Sequence, residues 1–271
     1  RDPLWSRGLG DVYKRQSYVS VLDFAAAGQV PSDGSNWTPA FQAALATGKN
    51  VFVPRGTYSI RDSLRINNPG QQLFGVNGGV SVLTIDGSYA NLNNPVIIIE
   101  NQTDGNGNTI VEVDETHAGV DNIGMYFYHA GYTSRSQLLD YSWAIYCKVT
   151  RPFIGDIRIN GAMRGIALGT GNNKGAGCIG GTWEIGAFGQ GLLIDSTLDT
   201  IHINTIRFWP YGCANPSDGT QAVYHDGTTI GALFGACDGM DIKTLMTLGP
   251  KLLFSKGTRS DGATAFGTFG N

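Results

Sequence analysis

Two stretches of this 271-residue chain repeat one another at a fixed offset. With GDIRINGAMRGIAL (155–168) written above GTWEIGAFGQGLLI (181–194), Ile157 falls on Trp183, Ile159 on Ile185, Gly165 on Gly191, Ile166 on Leu192 and Leu168 on Ile194, always 26 residues apart. Self-similarity at such a period marks a solenoid. The unit is an alternating strand (I-x-I, W-x-I), a glycine-bearing turn and a second short strand. Strands and turns alone suit a parallel β-helix and not a helical repeat. A third copy, TIHINTIRF, sets Ile206 under Trp183 and Phe208 under Ile185. In a fourth, GALFGACDGMDIKTL, GALFG matches GIALG and Asp241-Ile242-Lys243 matches Asp156-Ile157-Arg158. At this period residues 51–269 make about eight or nine coils.

The remaining composition agrees. With 39 Gly, only 15% charged residues and few helix-length apolar periodicities, the chain reads as all-β and rich in turns. A net charge of −3 argues against a nucleic-acid partner, which calls for a basic stripe. No apolar run approaches the roughly 18 residues of a membrane span, so no membrane insertion is expected. The four cysteines (Cys147, Cys178, Cys213, Cys237) are dispersed without C-x-x-C spacing and read as buried thiols, not as a metal or redox centre. Residues 1–16 (RDPLWSRGLGDVYKRQ) lack β alternation and look like a translated sequencing-adapter read-through, hence a non-native or disordered leader. Without them the balance is 15 basic against 20 acidic residues.

Ahead of the repeats, SYVSVLDF (17–24) reads as a short strand and Pro31-Ser32-Asp33-Gly34 as a turn. Thr38-Pro39 starts a helix, Thr as N-cap and Pro in the first turn, with Phe41 and Leu45 on one face and Gly48 as the stop. Such a helix is suited to cover the open apolar end of a solenoid. VLDFAAAGQVPSDGSNWTPAFQAAL, followed by NVFVPRGTY, resembles the opening of the pectate-lyase-like domain of phage tailspikes. Asp23, Phe24, Gly28, Asp33, Gly34, Thr38, Gln42, Pro54, Gly56, Thr57 and Tyr58 match that family's pattern. Ala25 stands where Gly is usual, and Ser35-Asn36-Trp37 replaces an acidic pair. These positions describe how a first turn is built and carry no catalytic group. The resemblance implies an all-β, right-handed parallel β-helix with an N-terminal capping helix, a handedness that crossover connections also favour. It divides the chain into a leader (1–16), a cap (17–50) and a β-helix (51–271) expected to be truncated at its C-terminus. It further implies a homotrimer on a phage tail, assembled in the bacterial cytoplasm and acting outside the cell on a bacterial surface polysaccharide.

Two insertions interrupt the rhythm: 126–142, with four tyrosines, and 209–230, with Trp209, Tyr211, Tyr224, His225 and two aspartates. Solenoid insertions map to loops, often on a binding face. Sugar rings stack their C–H faces on aromatic side chains, which makes Trp209, Tyr211, Tyr128, Tyr132 and Tyr224 candidates for substrate binding, with His225 beside them. The alternative is that such rings fold back onto the core.

The repeat also aligns Arg158, Glu184, Arg207 and Lys243, each between two inward apolar residues and therefore outward. Stacked at about 4.8 Å, Glu184 lies between two cations, which should lower its pKa and suit a nucleophile or base more than a general acid. Arg158 and Arg207 then become substrate contacts. The competing reading is a surface ladder of charge pairs. Glycoside hydrolysis needs two carboxylates. The partners considered for Glu184 are Asp195 and Asp199 after GLLI, and Asp218, Asp226 and Asp238 in or near the second insertion. The competing role of such turn aspartates is to form Asx turns. The leading expectation is a glycosidase needing no cofactor or metal. A lyase or epimerase on uronic-acid polymers is the second reading, with His225-Asp226 as the better base and Ca²⁺ required only in that case, although the chain has no D-x-D run. The third is a non-catalytic glycan-binding or structural β-helix of a virion.

Overall fold

A computed structural model describes residues 18–169, 175–195, 197, 199–210, 223–235, 237 and 239–254. The leader 1–16 and Tyr211, Cys213, Asp218 and Asp238 lie outside the described residues. The chain is mostly β, with one long parallel sheet compatible with an all-β solenoid.

Its strands pair in three parallel ladders. Ladder A runs through Tyr18–Ser20, Asn50–Val53, Gln72–Gly75, Gly119–Asp121 and Phe153–Ile154, then the opening residues of Ile179–Ile194, Ile201–Phe208 and Met240–Thr247. Ladder B takes Gly56–Ser59, Ser81–Ile85, Ile123–Phe127, the first part of Ile157–Leu168 and the middle or end of the next three strands. Ladder C takes Leu64–Ile66, Ile97–Ile99, Trp143–Cys147, the ends of Ile157–Leu168 and Ile179–Ile194, then Ile230–Phe234 and Lys251–Phe254. Read across, these form seven three-strand rungs among the described residues.

Alternation along each strand builds the core. In ladder B the inward positions Tyr58, Leu83, Met125, Ile159, Ile185 and Phe208 stack in register, all buried. Burying each such side chain contributes about 1.5–3 kcal/mol, so the stack outweighs any single surface interaction. Trp183 is also inward, and its indole N–H donates to the Ile154 carbonyl at 3.0 Å, which removes the penalty of a buried orphan donor. Cys147, Cys178 and Cys237 are buried; burial pushes the thiols of Cys147 and Cys178 up in pKa, as expected for packing groups and not reactive ones.

Three details differ from the sequence expectations. Among the described residues the three-strand rungs number seven, where eight or nine were expected over 51–269; the excursion from ladder B to ladder C inside the sixth rung lengthens the spacing, so that His202 and its ladder partner Asp241 are 39 residues apart. That excursion also shifts the last copy. Asp241-Ile242 pairs with His202-Ile203 in ladder A, and the residue over Arg207 is Met246, so Lys243 leaves the charged column. Finally, the helix Thr38–Ala46 begins one residue earlier than expected, with Trp37 as N-cap. The Thr38 hydroxyl accepts from the Arg61 amide at 2.7 Å, and Asn36 Oδ1 takes the Thr38 N–H. Gly48 ends the helix at φ +71°, a left-handed conformation suited to Gly.

Both insertions leave the sheet at one corner, between ladders B and C. The first separates Phe127 from Trp143 in the third rung, and the second separates Phe208 from Ile230 in the sixth. Met163 and Phe188 occupy the same corner in the rungs between.

Candidate functional site

The repeat brings Arg158, Glu184 and Arg207 into one outward column of ladder B. Arg158 donates from Nε and Nη2 to Glu184 Oε2, each at 2.7 Å, and Arg207 Nη1 donates to Oε1 at 3.2 Å. Both carboxylate oxygens are thus held by guanidinium groups, a charge-assisted arrangement that fixes the side chain's direction. One edge of this column opens into a cavity of about 300 Å³ lined by Asn77, Gly78, Asn122, Asp156, Arg158, Thr182 and Glu184, among others.

The cavity sits at the corner between ladders A and B. Asp156 turns that corner in the fourth rung, and its Oδ1 accepts the Thr182 amide of the next rung at 2.7 Å. A side chain at Gly181 would come within 2.6 Å of that oxygen, so the glycine is what admits the aspartate. Lower down, the loop through Gly78 passes over Gly124, where a Cβ would collide with the Gly78 carbonyl. The loop therefore closes down against Arg158. Asp156 is the site residue that the sequence reading did not single out. Its signal is strand alternation: it stands two residues before Arg158 and hence faces the same way.

Trp209 follows Arg207 by two residues on the same face, and its amide donates to Ile185 O at 3.2 Å. It is 38% exposed. Tyr128, 53% exposed, lies against Tyr126 with ring centres 5.7 Å apart at the end of the third-rung strand.

The other expected residues go elsewhere. Tyr224 is buried and packs on Phe188, with Tyr132 half-buried against the same ring at 5.2 Å; neither forms the exposed platform anticipated for it. Phe188, projecting from the fifth rung, lets the two insertions fold onto the wall between them. Asp226 is gripped by Arg135 through two bonds of 2.8 Å, from Nε and Nη2. The same guanidinium donates to the carbonyls of Phe188 and Val223 and to Thr229 Oγ1. The Arg135 bonds, with those of Thr228, hold the Asp226 carboxyl well below the usual range, against a smaller opposing effect of burial. Asp226 therefore clasps one insertion to the other and is not the free base of a His-Asp pair. His225 is exposed, edge-on to Tyr224 at 5.1 Å.

Asp195 and Asp199 lie past the end of ladder C, away from the Glu184 column. Asp195 packs beside Gly235, where a Cβ would crowd its carboxyl. Asp199 caps the Thr200 amide at 2.7 Å and pairs with Arg151 at 3.7 Å. Both serve turns. Among the described residues no group of three or more His, Cys, Asp or Glu is arranged to hold a metal ion.

No known family matches the chain, and no curated protein matches it either.

Proposed function

We propose that the three ladders are the faces of a right-handed parallel β-helix of the phage-tailspike kind, closed at its N-terminal end by the helix Thr38–Ala46, and that face B binds and cleaves a bacterial surface polysaccharide by glycoside hydrolysis. The observation that carries this reading is the pair Asp156 and Glu184, two carboxylates lining one open cavity. Hydrolysis needs two carboxylates flanking the scissile bond. Glu184, set between two guanidinium groups, serves as the base or nucleophile, and Asp156, steadied by the Thr182 amide, as the proton-transfer partner. In this reading face B serves as the trough, with the Asn77–Gly79 loop and Asp156 at its corner with ladder A, the insertions starting from its corner with ladder C, and Trp209 and Tyr128 offering rings to sugar faces. Homotrimer assembly and a place on the virion follow from the tailspike resemblance alone.

A binding-only reading has an observation of its own. With both oxygens of Glu184 engaged, the acid also suits a role that holds two arginines in place for an anionic or hydroxyl-rich ligand. One experiment separates the two. The protein is incubated with a panel of bacterial surface polysaccharides and the products are weighed by mass spectrometry. A gain of one water per cut supports hydrolysis, and a product lacking that water means elimination. Retained but uncut polymer leaves binding alone.

A further inference from the structure

Three aromatic rings stand on the outer surface of ladder A. Tyr18 is 61% exposed and meets Phe52 and Phe74 edge-on, each at 5.9 Å, while Phe52 and Phe74 lie 5.4 Å apart in adjacent rungs with planes 38° from each other. Ladder registry puts Phe52 and Phe74 in one outward column that continues to Asp121, and Asn50 and Gln72 in the column beside it. The result is a narrow apolar strip with amide groups along its edge. Tyr18 is exposed and Phe52 and Phe74 are half-buried outside the core; a cluster of outward rings of this kind marks a contact surface.

The strip is continuous with the cavity. From Phe74 the chain reaches Asn77 in three residues, and from Asp121 it reaches Asn122 in one; both asparagines line the cavity that holds Asp156 and Glu184. We infer that Tyr18, Phe52 and Phe74 form a distal stacking subsite for the same glycan, so that a polymer crosses the corner between ladders A and B and is held on both sides of it. This rests on reading the trough as a glycan site. The chemistry fits: a pyranose ring has an apolar C–H face for the aromatic strip and a hydroxyl rim for Asn50, Gln72 and Asp121. A short oligosaccharide seated at Glu184 would not span the corner, whereas an intact chain would. The subsite therefore selects for length.

The test uses an array of bacterial capsular and O-antigen polysaccharides, each present as intact polymer and as the short oligosaccharides released from it by partial acid hydrolysis. Two variants are compared with wild type: Tyr18→Ala, and Phe74→Leu, which keeps apolar volume but removes the ring face. Thermal melting serves as the folding control. The expected result is binding to intact polymer about tenfold weaker in each variant, with short-chain binding and melting temperature unchanged. If both variants hold intact polymer as wild type does while Glu184→Gln loses it, the subsite is refuted and the trough reading stands. If wild type holds no polymer on the array, both fall. If Tyr18→Ala instead alters the mass of the particle in solution by light scattering and leaves polymer binding intact, the strip is a self-association face and the inference is overturned.

Discussion

The molecule carries the same electrostatic device twice. On ladder B, Glu184 is bridged by Arg158 and Arg207; on ladder C, Glu100 is bridged by Arg65 and Lys148. The two acids are alike in exposure, 16% and 15% for their side chains, and all four cations are about half-exposed. What differs is the neighbourhood. Glu184 itself lines a cavity together with a second carboxylate, Asp156, while Glu100 lines none of the described cavities and only its partner Arg65 reaches one, on the side of the helix Thr38–Ala46. A cation–acid–cation stack is therefore a habit of parallel ladders, in which outward residues of successive rungs sit within ion-pair reach. Only the loop and corner residues around such a stack turn it into a place for a ligand.

That contrast breaks most readily in activity. Glu184→Gln is expected to lower the rate of polysaccharide cleavage by about 10²–10⁴-fold, and Asp156→Asn comparably, whereas Glu100→Gln leaves it at the wild-type value. Product release followed by mass spectrometry checks all three. Equal losses in the Glu184 and Glu100 variants would erase the distinction between the stacks.

Next in size is the clasp, an ion pair of a third kind, whose arginine is less exposed than the cations of either stack and makes more bonds. Arg135→Ala should destabilise the fold by about 2 kcal/mol, since it removes several charge-assisted hydrogen bonds at once. Chemical denaturation measures this. An effect no larger than that of the surface stacks would show that the insertions hold together without it.

The clasp should also be separable by pH. The folded Asp226 carboxyl is depressed relative to its unfolded value near 3.9, so its stabilisation is fully present above that pH and is lost as pH falls below it. His129 acts in a higher window. Burial lowers its pKa, and its Nδ1 accepts the Leu139 amide at 2.9 Å while Nε2 donates to Gly161 O at 2.7 Å. Protonation removes the acceptor, so stability falls as pH drops below the unfolded value of about 6.5. Melting curves of wild type, Asp226→Asn and His129→Gln should separate the two windows; coincident curves for wild type and His129→Gln between pH 5 and about 6.5 would contradict the second.

The smallest effect closes the comparison. Glu184→Ala and Glu100→Ala should each change stability by no more than about 1 kcal/mol, because the half-exposed cations of both stacks stay solvated when the acid is removed. A markedly larger cost at Glu184 alone would assign that stack to structure and weaken its case as a site.

The register of Ile157 on Trp183 and the column Arg158–Glu184–Arg207 were readable in the sequence because three successive rungs follow one another at short offsets of 26 and 23 residues. Lys243 was misplaced because the long excursion inside the sixth rung lies between Arg207 and Lys243, and periodicity cannot be counted across it. Tyr224 and Tyr132 were read as exposed from their place in an insertion; their burial depends on Phe188, a residue of another rung whose outward projection no local pattern announces. Asp226 likewise looked free until Arg135, far away in sequence, proved to be its partner. Asp156 was legible from alternation, yet its chemistry depends on a cavity made partly by the Asn77–Gly79 loop, which is two rungs away.

The strand Ile179–Ile194 belongs to all three ladders in turn. A single residue gained or lost before Glu184 within it would swing that acid inward and Trp183 outward, inverting two faces together. Lengthening at the corner between ladders B and C, where the insertions already sit, leaves every column untouched. Descendants of this chain are thus free to revise the outward letters of face B one at a time and to lengthen its wall, but its strands admit no change of count.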